Sequence, residues 1–186
     1  MMASSWGSSA VRPLALILTA SLDGFIAESD GGIDWLVEPP DEAPDDYLEL
    51  LDSIDCLVMG SATYLVSLEL VGGTDVFEDR EVYVFTSRDD LPAHAAVTFI
   101  SGPAQEFVAE LKRRTGGTIW LFGGGKLATS LSDAGLVDDY LVAVQPILLG
   151  EGIPLWVSPH VRTGLELVAA RPWAGGIAEL RYRRRT

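Results

Sequence analysis

The chain has 186 residues, of which 48% are hydrophobic and 22% charged, a composition typical of one globular domain of ordinary size. This composition excludes an intrinsically disordered or collagen-like chain. Acidic residues number 27 against 13 Lys and Arg, so the formal net charge is -14 and most of the surface repels anions. We therefore expect no nucleic acid partner and no membrane partner.

The start of the chain and its single cysteine bear on where the protein works. Residues 1–10 are rich in Ser and Gly without a basic start or an apolar stretch, which predicts a disordered tail before a single domain over residues 11–186. One cysteine, Cys56, cannot form an internal disulfide, and its apolar neighbours predict a thiol in the core. A reducing, cytoplasmic setting is the expectation.

Apolar and β-branched runs alternate with helical stretches along the chain, a pattern that predicts an α/β fold with a largely parallel sheet. We predict strands over residues 13–20, 56–59, 81–86, 97–100, 118–122 and 140–146, and helices over residues 44–54, 103–114 and 125–134. Two antiparallel strands, 165–170 and 177–185, are predicted around a turn-rich link. In the strand over residues 177–185 charged and apolar residues alternate, which predicts that one of its faces is exposed to solvent. The expected fold is a three-layer sandwich with a mostly parallel mixed sheet and antiparallel C-terminal strands.

Three glycines, Gly123 to Gly125, stand between a predicted strand and a predicted helix and are followed by Lys126 and Leu127. Without Cβ atoms, glycines let the backbone come close to a ligand, and the N–H groups at a helix start favour an anion such as a pyrophosphate. The spacing matches neither common nucleotide-binding glycine motif. A tight turn that only permits close packing is the alternative, and Lys126 is equally well explained as a solvated residue.

Polar residues also follow two other predicted strands. Gly60, Ser61 and Thr63 come after the strand that contains Cys56, and Thr86, Ser87 and Arg88 close the next strand. The carboxyl ends of parallel strands meet at one edge of a sheet, where ligands of open α/β folds bind, so these loops are expected to converge with the glycines. As alternatives, Ser61 or Thr63 could cap a helix, and Arg88 could pair with Asp89 or Asp90.

The loop after the first strand contains Asp23, followed by glycines and the aromatic Trp35. This composition predicts a cover for a flat heterocyclic substrate. Asp23 is equally well explained by turn formation with Gly24.

Several motifs stand in an order that resembles a known fold: Ser-Leu-Asp-Gly at residues 21–24, Trp35, Met-Gly at 59–60 with Thr-Tyr at 63–64, Phe-Thr-Ser-Arg at 85–88, Phe-Gly-Gly-Gly at 122–125 and the segment 145–156. Together they resemble the dihydrofolate reductase fold. The resemblance is closer to the reductase domain of the bifunctional riboflavin-biosynthesis deaminase-reductase, and it runs over nearly the whole chain.

The resemblance implies an NAD(P)H-dependent oxidoreductase that reduces a pterin, a folate or a phosphoribosylaminopyrimidine. It implies that residues 123–127 hold the NADPH pyrophosphate with help from Thr63, that Ser87 and Arg88 lie near the adenosine 2'-phosphate, and that Ala20, Ile26 and Ala27 border the nicotinamide. Family members commonly carry Arg after the Met-Gly pair, where this chain has Ser61. NADH is therefore kept as an alternative cofactor.

Three acidic residues are candidates for the catalytic carboxyl group. The resemblance to folate reductases implies an acid at the start of the helix before the Met-Gly strand, which falls near Asp45 and Asp46; Asp23 is the third candidate. Asp45 and Asp46 also suit the positive end of a helix with no ligand present. His94 and His160 have no metal-ligand spacing, so we expect no metal site.

Between Arg12 and Arg80 the chain has no Lys or Arg but 16 Asp and Glu, most of which are expected to form a solvated surface. A substrate phosphate needs cations, so this stretch favours an uncharged or weakly charged heterocycle. A nucleotide-binding or assembly protein of the same fold without catalytic activity is the alternative function. Aliphatic residues in segments 140–149 and 153–157 predict a homodimer.

Overall fold

The computed structural model describes residues 11–37, 44–70, 77 and 79–185. The predicted tail over residues 1–10 lies outside the described residues. The strands are β1 (Leu14–Ser21), β2 (Phe25–Ala27), β3 (Ile54–Gly60), β4 (Glu81–Phe85), β5 (Val97–Ile100), β6 (Thr118–Gly123), β7 (Asp139–Gln145), β8 (Ile153–Pro154), β9 (Leu165–Pro172) and β10 (Ala178–Arg184). The helices are α1 (Asp45–Asp52), α2 (Ser61–Leu70), α3 (Ala104–Arg113) and α4 (Gly125–Asp133), and a short 3-10 turn covers Ala174–Gly176.

Eight strands form one sheet in the order β5-β4-β3-β6-β1-β7-β10-β9, and β2 pairs with β8 in a separate antiparallel ribbon. Strands β5, β4, β3, β6, β1 and β7 run parallel, whereas β10 is antiparallel to both β7 and β9. The predicted mostly parallel mixed sheet with antiparallel C-terminal strands is confirmed.

An apolar cluster lies on each face of the sheet and joins it to helices, so the sheet forms the middle of three layers. One cluster joins buried residues of β1, β3 and β6 to Val108 and Leu111 of α3 and Leu131 of α4. The other joins alternate residues of the same strands to Leu50 of α1 and Tyr64 of α2. Because both faces are covered, the central strands are apolar along their whole length. Cys56 lies in this core, and burial raises the pKa of its thiol to about 12.

All the predicted strands and helices are present, with ends that differ by no more than two residues. Helix α2 and the short strands β2 and β8 were not among the predicted elements. Apolar residues occupy every side of α2, so it lacks the polar stripe that marks a surface helix. Strands of two or three residues carry too few side chains to show an alternating pattern.

The expectation of a solvent-exposed face on the last strand is wrong at Glu179 and Arg181, whereas Arg183 and Arg185 of the same face are exposed. Glu179 and Arg181, which share this face, are only 3% and 2% exposed. Strand β10 is an interior strand between β7 and β9, and Arg171 of β9 forms an ion pair with Glu179. Tyr47 of α1 covers the same region by packing against Trp173 with ring centroids 5.4 Å apart.

The expected homodimer stays a prediction. Tyr140 and Leu141, two of the residues behind that expectation, are buried within this chain because β7 is an interior strand. Leu148 is 68% exposed and Ile153 is 38% exposed.

The start of α4 is held against the β8 strand at a position where only glycine fits. A Cβ atom built on Gly125 would lie 2.2 Å from the carbonyl oxygen of Pro154 and 3.0 Å from that of Leu155. Both contacts are with backbone, which has little freedom to move. The glycine therefore sets how closely α4 approaches the ribbon of β2 and β8.

We expect Gly125→Ala to lower the free energy of unfolding by about 1–3 kcal/mol, because the added methyl group forces α4 and β8 apart. The matched control is Gly102→Ala, where a Cβ atom meets nothing within 4 Å. Urea unfolding followed by circular dichroism measures both variants. Equal stability of the two variants would contradict the packing argument.

Candidate functional site

A cavity of about 600 Å³ lies over one face of the sheet, near the carboxyl ends of the parallel strands, and its size suits a small-molecule ligand. Strands β1, β6, β7 and β10 and helices α1 and α2 contribute to its wall. The lining is mainly apolar and aromatic: Ile17, Leu18, Ile26, Ala27, Ile33, Leu36, Val37, Val66, Trp120, Phe122, Leu141, Ala143, Ile153, Trp173 and Ile177. Such a surface can hold a flat ring and exclude water around it.

The glycine turn lies at one end of this cavity, opposite the start of α2. Gly123 and Gly124 both line the cavity and have positive φ angles of 138° and 90°. A Cβ atom on Gly124 would lie 3.4 Å from Oγ1 of Thr63, which also lines the cavity. The structure thus brings Thr63 and the glycine turn together, as expected from the strand order.

Two helix starts meet at this turn. In α4 the first helical hydrogen bond is donated by the N–H of Ala128 to the carbonyl of Gly124, so the preceding N–H groups belong to the open end of the helix. Helix α2 begins at Ser61, directly after β3. Both positive helix ends favour a bound anion, and the missing side chains at Gly123 and Gly124 leave the space that a phosphate group needs.

The remaining residues of the predicted pyrophosphate loop have different positions. Gly125 is buried against the backbone of β8, so close packing accounts for this glycine. Lys126 is exposed in the first turn of α4, and Leu127 packs against the core. Among the three glycines, Gly123 and Gly124 are the two that face the cavity.

The ends of β3 and β4 lie side by side, since Gly60 pairs with Phe85 in the parallel register, and Met59 pairs with Gly123 of β6. The loops with Ser61 and Ser87 therefore follow neighbouring strands, as predicted. Arg88 donates its backbone N–H to Thr86 Oγ1 at 2.9 Å. Its half-exposed guanidinium pairs with Asp90, with Nε 2.8 Å from Oδ1.

The three residues that were expected to border the nicotinamide fall into two groups. Ile26 and Ala27 of β2 line the cavity. Ala20 is 2% exposed and belongs to the core cluster that packs on α3 and α4. Ile17, Leu18 and Thr19 of the same strand line the cavity, whereas Ala20 is not among the lining residues.

Asp23 joins two loops and does not line the cavity. Its carboxylate accepts hydrogen bonds from the Ser21 hydroxyl at 2.6 Å and from the backbone N–H groups of Leu149 and Gly150 at 3.1 and 2.8 Å. These bonds, that of Ser21 foremost, hold the pKa of Asp23 below its ordinary value. The Gly24 N–H donates to the Ser21 carbonyl at 3.0 Å, so Asp23 also lies in a turn, in agreement with that alternative.

Trp35 is half-buried, and it is not among the lining residues. Its neighbours in the same loop, Ile33, Leu36 and Val37, do line the cavity. The backbone N–H of Val37 donates to Oε1 of Gln145 at 3.2 Å, which attaches this loop to the end of β7. The loop therefore borders the cavity through aliphatic side chains, and its role as a cover for a substrate stays a prediction.

Asp45 and Asp46 begin α1, and neither lines the cavity. Asp45 is exposed. Asp46 accepts two hydrogen bonds from the guanidinium of Arg171, at 2.7 Å to Oδ1 and 2.5 Å to Oδ2, and these bonds hold its pKa below its ordinary value. Asp46 is therefore paired with Arg171 outside the cavity wall.

Glu179 is the acidic residue that the structure places in the cavity wall, and sequence reasoning missed it. Among the described residues that line the cavity, it is the one with a formal charge. Arg171 Nε lies 3.0 Å from Glu179 Oε1. Burial raises the pKa of Glu179, and Arg171 opposes this rise. A signal was present, since Glu179 is the single acidic residue after Glu166 in a segment rich in arginine.

A second depression, of about 590 Å³, lies at the opposite edge of the sheet. Arg12, Asp55, Glu81 and His94 contribute to its wall, next to the amino ends of β1, β3, β4 and β5. Ligands of open α/β sheets bind at the carboxyl ends of the strands. We therefore assign the functional site to the cavity beside Gly123 and Gly124.

Within residues 11–37, 44–70, 77 and 79–185, no group of three or more His, Cys, Asp and Glu side chains is arranged to hold a metal ion. No helix in the same part of the chain is both long enough and apolar enough to cross a membrane.

Comparison with known proteins identifies relatives of this chain. The profile of the RibD C-terminal domain family matches residues 13–178. The uncharacterized protein YwjB of Bacillus subtilis (strain 168) is 34% identical over 171 residues, which span 92% of this chain and 97% of YwjB. The family resemblance predicted from the sequence is confirmed.

Solved structures share the fold. A putative riboflavin biosynthesis protein from Shewanella sp. PV-4 has a TM-score of 0.80 at 23% identity, and the match covers 94% of this chain and 99% of that one. Dihydrofolate reductase from Enterococcus faecalis, solved in complex with NADP(H), has a TM-score of 0.59 at 20% identity and covers 95% and 99% of the two chains. The dihydrofolate reductase-like fold is therefore confirmed.

The pairing of Asp46 with Arg171 predicts a pH-dependent stability. A carboxyl group whose pKa is lowered in the folded state stabilises the protein above its unfolded pKa, and this contribution is lost as the pH falls through the folded value. We expect Asp46→Asn to lower the free energy of unfolding by about 1–3 kcal/mol at pH 7. This difference from the wild type shrinks as the pH falls below 3.8, the ordinary pKa of an aspartate side chain.

Urea unfolding at several pH values measures this difference. Asp45→Asn is the matched control, because it removes the neighbouring, exposed carboxylate from the same helical turn. We expect the control to change the stability by less than about 0.5 kcal/mol. A loss for Asp46→Asn that is the same at pH 3 and pH 7 would contradict the ion-pair argument.

Proposed function

Because the chain belongs to the RibD C-terminal domain family, we propose that it is an NAD(P)H-dependent reductase of a small heterocyclic compound. The observation that supports this most strongly is the continuity of the cavity, which runs from the glycine turn at Gly123 and Gly124 to an apolar pocket at the loop with Val37. One end suits a phosphate group and the other suits a flat ring. A dinucleotide beside a heterocycle has these two requirements.

The residues present fit a dinucleotide. Gly123 and Gly124 leave open space beside Thr63, and the N–H groups at the starts of α4 and α2 favour the charge of a pyrophosphate. Ile26 and Ala27 offer an apolar edge for the nicotinamide. Arg88 and Ser87 follow β4 at the same sheet edge and would meet the adenosine end, where a 2'-phosphate distinguishes NADPH from NADH. The related dihydrofolate reductase was solved with NADP(H), which agrees with this assignment.

When bound, a reduced nicotinamide supplies a hydride to the substrate, and the reduction of a C=N or C=O bond is completed by one proton. The chain contributes alignment and the exclusion of water. Trp120 and Phe122 form an apolar wall on β6 with ring centroids 4.6 Å apart, and Trp120 is fixed by donating its indole N–H to the Ile17 carbonyl at 2.9 Å. A wall held in this way keeps two rings in one orientation, which lowers the entropic part of the barrier.

We expect the wild-type protein to bind NADPH, and Gly124→Ala to weaken this binding by about tenfold or more, because the new methyl group enters the phosphate space beside Thr63. Quenching of tryptophan fluorescence measures the binding, since Trp120 and Trp173 line the cavity. Gly150→Ala is the matched control: its φ of 77° carries a similar strain, and its Cβ atom meets nothing within 4 Å.

The results separate the two candidate functions. Failure of the wild-type protein to bind either NADPH or NADH would overturn the reductase proposal, and equal binding by the two variants would overturn the role of the glycine turn. Binding followed by oxidation of NADPH in the presence of dihydrofolate or the riboflavin-pathway pyrimidine supports the reductase. Binding without turnover of any heterocycle favours a nucleotide-binding protein without catalytic activity.

The choice between NADPH and NADH is tested at Arg88. We expect Arg88→Gln to weaken NADPH binding by about tenfold, because a charge-assisted hydrogen bond to the 2'-phosphate is lost, and to leave NADH binding unchanged. Arg113→Gln is the control, since Arg113 is also an exposed arginine paired with an acid, Glu110. Equal weakening of both cofactors by Arg88→Gln would contradict this role and leave Ser61 and Lys126 to be tested.

A further inference from the structure

We infer that Gln145 is a specificity-determining residue of this cavity, and that its side-chain amide donates a hydrogen bond to a ring carbonyl oxygen of the substrate. The substrate class is therefore a flat heterocycle with a cyclic amide, in preference to the same ring with an amino group at that position. This inference rests on the proposed function, because it narrows the class of compound that the reductase binds.

The side-chain amide of Gln145 is buried and fixed in one orientation. Gln145 is 3% exposed and ends β7, and its Oε1 accepts the backbone N–H of Val37 at 3.2 Å. A backbone N–H can only donate, so this bond determines which end of the amide is the oxygen and which is the nitrogen. Val37 is held in turn, because its side chain fills the space beside Gly175, where a Cβ atom would lie 2.7 Å from Val37 Cγ1.

The nitrogen end of the same amide is open to the cavity. Nε2 of Gln145 makes no hydrogen bond to any residue that the structure describes, and those residues do not enclose it. Because Gln145 contributes to the cavity wall, its N–H groups face the space that a ligand would occupy. A buried donor without a partner is costly, so a ligand acceptor at this position stabilises the complex.

Gln145 differs from the other polar side chains in the described part of the cavity wall. Two further side-chain nitrogens occur there: that of Trp120 donates to the Ile17 carbonyl, and that of Trp173 is enclosed. Hydroxyl groups can donate or accept, and the wall contains those of Thr19, Tyr47, Thr63 and Ser67. The open amide nitrogen of Gln145 can only donate, so it selects for an acceptor on the ligand.

The position of Gln145 assigns this donor to the ring of the substrate. Strand β1 lies between β7 and β6, so Gln145 and the glycine turn at the end of β6 are two strands apart, which is about 10 Å. The loop with Val37, which Gln145 contacts, borders the apolar end of the cavity. A carbonyl oxygen accepts a hydrogen bond from Nε2, whereas an amino group would place two donors against each other.

Two probes with the same bicyclic frame test this preference. Quinazolin-4(3H)-one has a carbonyl oxygen at position 4, and 4-aminoquinazoline has an amino group there. We expect the wild-type protein to bind the carbonyl probe about tenfold more tightly at pH 8, where both probes are neutral, as measured by isothermal titration calorimetry. We expect Gln145→Glu, which keeps an oxygen for Val37 and replaces the donor by an acceptor, to lose this preference. Gln105→Glu is the matched control, because its amide donates to Ser130 Oγ outside the cavity wall, and we expect it to keep the preference.

The amide of Gln145 can also be observed directly. The chain has two glutamines and no asparagine, so its side-chain NH2 groups give two pairs of signals in a nitrogen–proton correlation NMR spectrum. We expect the carbonyl probe to move the Gln145 pair downfield and to leave the Gln105 pair unchanged, and the spectrum of Gln105→Glu assigns the two pairs. This measurement uses the wild-type protein, so it does not depend on the folding of Gln145→Glu.

Each result supports or overturns the inference. Equal affinity of the wild-type protein for the two probes overturns it, and so does an unmoved Gln145 signal at saturation with the carbonyl probe. A preference that persists in Gln145→Glu also overturns it, as does an equal fall in NADPH and probe binding, because the amide then serves the cofactor. If neither NADPH nor NADH binds while the carbonyl preference and the signal shift hold, the reductase proposal fails and the role of Gln145 stands. If NADPH binds and the preference is absent, the inference alone fails.

Discussion

The parallel pairing of β6 with β1 on one side and β3 on the other is the constraint on which the rest of the molecule depends. It places the ends of three strands at one sheet edge, so that Gly123, Gly124 and Thr63 meet although about 60 residues separate them in the chain. Helices α1 to α4 make parallel connections of this sheet and cover both of its faces, whereas the parallel strands β4 and β5 are joined by a loop. The position of the site is therefore determined first by the direction of the strands and only then by individual side chains.

The sequence was sufficient to predict eight of the ten strands, three of the four helices and the sheet edge at which the candidate ligand loops meet. These features follow from local patterns: apolar runs bounded by turns, and polar residues directly after them. Gly123, Gly124, Thr63, Ile26 and Ala27 were each predicted and each lies in the cavity wall. Their prediction needed the order of the elements and the family resemblance, but no knowledge of packing.

The acid in the cavity could not be found in this way, because burial of a charged residue depends on elements far away in the chain. Glu179 follows Arg171 by eight residues, yet it is covered by residues of α1 more than 130 positions earlier. Alternation within a strand shows which residues share a face and does not show what lies over that face. Ala20 illustrates the same limit, since it lies in the core cluster that packs on α3 and α4, although Ile17, Leu18 and Thr19 of its own strand line the cavity.

Asp23 also limits the insertions and deletions that the loops of this fold can accept. Its carboxylate fastens the loop after β1 to the loop after β7, and the Gly24 carbonyl accepts the Leu155 N–H close by, so the ribbon of β2 and β8 is tied at its base. That ribbon brings Ile26 and Ile153 to the mouth of the cavity. Asp23 therefore couples two chain segments that lie more than 120 residues apart. An insertion or deletion in either loop that breaks these hydrogen bonds would also displace the ribbon of β2 and β8 at the mouth of the cavity.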